Sequence, residues 1–134
     1  MVDHLNHFEF HINLLKSSFN RLLKQPPFNG KEMLQDDQDF LAELVVLVKA
    51  LENGEDDALY VGQEMIARLI RGYPHLVPLI DRDLFWFFGG DCLHHMPDEE
   101  IELFQQLDEL RYVSESKGEI FNLEETRARL FKLH

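Results

Sequence analysis

Four consecutive aromatic residues, Phe85, Trp86, Phe87 and Phe88, constrain this chain more than any other feature. On a helix they point all round the axis and on a strand to both faces, so other elements or a second chain must cover them. The segment is therefore read as the middle of the core. It lies within Leu84 to Glu100, which also holds the sole Trp, the sole Cys, a Gly pair and a His pair. Gly89-Gly90 breaks the element. Met96-Pro97-Asp98-Glu99-Glu100 then opens a helix, with Pro at its first position and three carboxylates at the positive end of its dipole. On this reading Trp86 is well buried, and Trp86→Ala costs about 3–5 kcal/mol.

The rest of the chain shows the helical period. Leu5, Phe8, Ile12, Leu15, Phe19, Leu22 and Leu23 recur at steps of three and four, which predicts a helix from about Asp3 to Lys24, ended by Pro26-Pro27. A second apolar stripe, Met33, Leu34, Phe40, Leu41, Leu44, Val45, Val48 and Leu51, runs to a stop at Asn53-Gly54. A third helix, capped by Asp56 or Asp57, carries Leu59, Met65, Ile66, Leu69 and Ile70 up to Gly72. Gly62 inside it costs about 1 kcal/mol relative to Ala, which points to close approach of a neighbouring helix. A short element follows Tyr73-Pro74, limited by Pro78, and Asp81-Arg82-Asp83 supplies a cap for the aromatic segment. Ile101, Phe104, Leu107, Leu110 and Val113 predict a helix from Pro97 to about Glu115. The alternative is a hairpin in which Arg111-Tyr112-Val113 and Ile120-Phe121 are strands. Asn122-Leu123-Glu124-Glu125 opens a last helix with a basic end. The expected fold is all-α, a bundle-like single domain of five or six helices spanning 1–134.

At 134 residues the chain can bury a core without disulfides or metal staples. Its start, Met-Val-Asp-His-Leu-Asn-His, lacks the basic end and apolar block of a signal peptide, and no run approaches the roughly 18 apolar residues of a membrane span. A cytoplasmic protein is expected, in agreement with a single cysteine. The net charge of -12 is concentrated in two segments, Lys31 to Tyr60 and Asp91 to Glu125, whereas Thr126 to His134 has three bases and no acid. Phosphate backbones are repelled by such a chain, so nucleic-acid binding is not expected; solubility or a basic protein partner accounts for the charge.

Chemistry-bearing residues are few. His4, His7 and His11 share one helix face, but they span about 10 Å, so one ion can take at most an adjacent pair. Asp91, His94 and His95 offer further ligands, and Cys92 between them is either a thiolate nucleophile or, as free cysteines usually are, a small buried hydrophobe. No Glu-x-x-His, Walker or calcium-loop pattern occurs, and no cofactor is called for. Two functional expectations follow. The first is a protein that works through protein contacts as a homodimer, with Tyr73, Leu76, Phe85, Trp86 and Phe88 as the residues placed at the interface. The second is a metal-binding or hydrolytic helical bundle that uses the 91–95 segment with a histidine of the first helix.

Overall fold

The computed structural model describes residues 7–132. They form six α-helices and no strand: α1 (His7–Leu22), α2 (Gln35–Glu52), α3 (Ala58–Gly72), α4 (Arg82–Phe88), α5 (Asp98–Ser116) and α6 (Leu123–Lys132). Short 3-10 turns, Pro74–Leu79 and Gly90–His95, flank α4 on either side. The all-α expectation holds, with the two turns taking the count slightly above the five or six expected. The segment that competed as a hairpin is helical through Ser116 and turns at Gly118, whose φ of 69 suits the end of a helix.

α1, α2 and α3 pack in sequence, and α4 closes the bundle against α1 and α3. The buried apolar residues form one cluster. α1 contributes Ile12, Leu15 and Leu22, α2 contributes Phe40, Leu44, Leu47 and Leu51, and α3 contributes Met65, Ile66 and Leu69. Apart from Leu47, which the sequence reading passed over, they belong to the stripes read from the sequence. Four residues assigned to those stripes are exposed, Leu23 and Val45 at 39% each and Leu34 and Leu59 more so. Leu34 is 74% exposed because it precedes α2, where its carbonyl oxygen accepts from Asp37 and Gln38 N–H, and Leu59 lies 40% exposed on the far side of α3.

The cap expected at Asp81-Arg82-Asp83 is used differently. Asp81 stands at the N-cap position of α4 without a capping bond; its carboxylate instead accepts from Arg21 at 2.7 Å, and Ser18 stands 3.4 Å away. At α6, by contrast, the Asn122 side chain accepts from Glu125 N–H at 3.0 Å, the first half of a capping box.

Gly62 is explained by the aromatic segment itself. A Cβ at this position would overlap the nearest carbons of the Phe88 ring, so α4 seats against α3 only because residue 62 has no side chain.

Candidate functional site

α4 is seven residues long, and each of its faces makes a different contact. Leu84, Phe85 and Phe88 are buried in the bundle, Leu84 and Phe85 completely. Phe87 faces α1, where its ring stacks on His11 at 4.5 Å and meets Phe8 edge-on at 5.4 Å. Arg82, Asp83 and Trp86 face the α5–α6 hairpin, here called the arm. Trp86 is half-buried, not at the centre as expected, because its indole N–H reaches outward to Asp108 of α5 at 2.9 Å while its ring stacks on Phe104.

The arm is fastened to α4 by charge. Asp83, 2% exposed, accepts a two-pronged bond from Arg127 of α6, with Nη2 at 2.6 Å from Oδ1. A carboxylate so buried requires such a partner, and in return the bond raises the pKa of Arg127. Arg82 pairs with Glu100 and donates to the carbonyl oxygen of His95 at 2.6 Å, which ties the start of α5 to the turn before it. Phe104 and Phe131 meet edge-on at 5.0 Å and lock α5 to α6.

Where α1, α4 and α5 converge, polar groups crowd together. The rings of His7 and His11 lie 4.5 Å apart, and His11 Nδ1 is 2.7 Å from the carbonyl oxygen of His7. Burial, His11 and Arg111 together lower the pKa of His7 to about 4, against the opposing pull of Asp108. Burial also lowers that of His11, despite its bond to the His7 carbonyl and the carboxylates of Asp83 and Asp108. Arg111 stands 3.7 Å from Asp108 and bonds Glu115. Its Nε and the Nδ1 of His7 are buried without a hydrogen-bond partner among the described residues. Asp108 and Arg111 are the members of this cluster that the sequence reading missed, since on a helix rich in acids neither carries a local mark.

The histidines and acids singled out in the sequence are distributed over two places. His7 and His11 belong to the α1–α4–α5 junction, and His4 lies outside the described residues. Asp91 and His94 form an exposed pair at 3.7 Å on the Gly90–His95 turn, where His95 is also exposed. Cys92 points inward, 3% exposed, and burial, with Asp91, pushes its thiol up to about 11, away from the thiolate that a nucleophile needs. Among the described residues no three His, Cys, Asp or Glu side chains stand close enough to hold one metal ion. Of the residues placed at a dimer interface, Leu76, Phe85 and Phe88 are covered by their own chain, and Tyr73 and Trp86 are half-buried. Tyr73 donates to the buried Asp37 at 2.5 Å, and burial together with this bond raises its pKa to about 12.

Among the depressions of the described surface are two with charged residues in their lining. One of about 720 Å³ lies between α2 and α3, lined by Asp36, Asp39, Glu43, Arg68, Arg71 and Tyr73. Arg68 there pairs with Glu43 at 2.7 Å. The other, of about 480 Å³, is a groove between the last turns of α5 and the start of α6. Its rim carries Leu110, Val113 and Ile120, which are 45%, 49% and 64% exposed. No described helix is long and apolar enough to cross a membrane.

A family model described as PA2817-like matches residues 3–134. No curated protein and no solved structure matches the chain.

Proposed function

The chain belongs to the PA2817-like family, and we propose that it works through protein–protein contacts, as a homodimer in the cytoplasm. The observation that carries this reading is the state of α5. Only Phe104 and Leu107 of its 19 residues are buried, so α5 packs on the bundle along one side and leaves much of its surface exposed. Such a helix contributes little to its own core, and its outer surface is available to another molecule. The buried free thiol of Cys92 suits a reducing compartment. The acidity of the chain keeps separate molecules apart except where a surface is locally balanced, which restricts self-association to a defined patch.

The test is the mass of the full chain in solution, by light scattering and sedimentation from one to several hundred micromolar. A rise from 15.8 kDa towards twice that value is the expected result. A chain that stays monomeric throughout refutes the homodimer.

A further inference from the structure

The apolar residues of α5, Ile101, Phe104, Leu107, Leu110 and Val113, step by three and so wind from the buried side of the helix to its exposed side. Phe104 and Leu107 are 1% and 5% exposed, and the next two steps, Leu110 and Val113, are 45% and 49% exposed. Each step of three turns the side chain by about 60° about the helix axis, so Leu110 and Val113 leave the inner face, which continues through Asp108, Arg111 and Ser114, and stand on a side of α5 that the chain does not cover. Ile120, 64% exposed on the connection to α6, stands on the rim of the same groove. The uncovered residues are therefore contiguous, unlike the scattered apolar residues that any soluble surface carries.

We propose that this groove is where a second copy of the chain docks, with the last turns of α5 from each copy lying antiparallel across the other's α5–α6 connection. The inference rests on the homodimer reading and adds its location. Charge selects the occupant. The chain as a whole carries -12 and repels its own copies, but the charged residues lining the groove are Lys117, Glu119, Glu125 and Arg129, two of each sign. A two-fold contact sets a patch against itself, so it requires a surface that is complementary to itself; a balanced set of charges around an apolar centre meets that requirement. A strongly basic partner would meet only two acids on the lining of the groove itself, Glu119 and Glu125, each offset by a base. A few exposed apolar side chains per copy place the contact at the small end of specific interfaces, so association in the micromolar range is expected.

The test uses sedimentation of the full chain in three forms, each checked for helical content by circular dichroism. Leu110→Glu with Val113→Glu puts two carboxylates into the apolar centre and is expected to raise the dimer dissociation constant at least tenfold. Lys117→Glu with Arg129→Glu makes the rim wholly acidic and is expected to do the same. Mixing that second variant with a Glu119→Lys, Glu125→Lys chain is expected to restore a dimer of one copy of each. Wild type that dimerises while both acidic variants dimerise equally well places the contact elsewhere and overturns this inference while leaving the homodimer standing. Wild type that never dimerises overturns both.

Discussion

Gly62→Ala sets two physical effects against each other with opposite signs, and the structure decides between them. In a free helix the change is favourable by about 1 kcal/mol, because Ala loses less backbone entropy than Gly on folding. Here the new methyl group would overlap the Phe88 ring, a side chain 3% exposed. Overpacking of a core typically costs about 1–3 kcal/mol, and an overlap with three ring carbons belongs at the upper end of that range. The net expectation is a loss of about 1–2 kcal/mol. For a chain of this length that lowers the melting temperature by about 3–8 °C. Phe88→Leu shrinks the obstructing ring at a cost of its own of about 1–2 kcal/mol. In the double variant the methyl group occupies space the ring has left, so the two losses combine to less than their sum. Urea unfolding of the four chains in the cycle measures the coupling. A Gly62→Ala chain as stable as wild type or more so, or additive losses in the double variant, refutes the claim that α4 seats on this glycine.

Arg127→Leu leaves the Asp83 carboxylate buried and unpaired, so it is expected to cost about 3–5 kcal/mol, much of it recovered when Asp83→Asn is added; urea titration of both variants measures this. Cys92 is expected to react with a disulfide reagent many-fold more slowly in the folded chain than in urea, as release of the coloured thiolate reports, since burial and a raised pKa both withhold its thiolate. His7 supplies a pH dependence of definite sign. Its folded pKa of about 4 lies below the ordinary 6.5, so the unfolded chain binds the proton more readily; the contribution to stability is intact above pH 6.5 and is lost as pH falls towards 4. After discounting for its partial exposure, about 1 kcal/mol should disappear between pH 7 and pH 5. His7→Phe should show a flatter melting profile over that interval, and an equally steep one counts against the assignment.

The helices were legible in the sequence because periodicity is a local signal. Phe40, Leu44 and Leu51 sit in the core, as their spacing requires, and Gly62 pointed to the close approach that Phe88 makes. The polar contacts were less legible, because pairings such as Asp83 with Arg127, 44 residues apart, leave no trace in spacing. Asp81 and Asp83 resembled a helix cap, the usual role of Asp before a helix, and the fold assigned both to arginines. Trp86 illustrates the same limit. Its apolar bulk predicted the centre, but its N–H requires an acceptor, and Asp108 at the edge of the bundle supplies one, so the wholly apolar Phe85 occupies the centre instead. The His pair was visible as a face of α1, whereas the burial that lowers its proton affinity, with the Arg111 guanidinium of α5 as a lesser cause, depends on tertiary contact.

The division of labour on α4 bears on how firmly the arm is positioned. Apolar contacts such as Phe104 on Trp86 are weakly directional, and alone they would let α5 slide or rotate by a fraction of a turn. The three polar ties prevent this. Asp83 to Arg127, Trp86 to Asp108 and Arg82 to Glu100 have distances and angles that a shift of a single residue would break, and the first would then leave a carboxylate without solvent or partner. Buried ion pairs add little net stability compared with apolar packing, so their value here lies in excluding other seats for the arm. A groove formed by the end of α5 and the start of α6 is a useful docking surface only if those helices keep one orientation to the rest of the molecule, and this set of contacts enforces it.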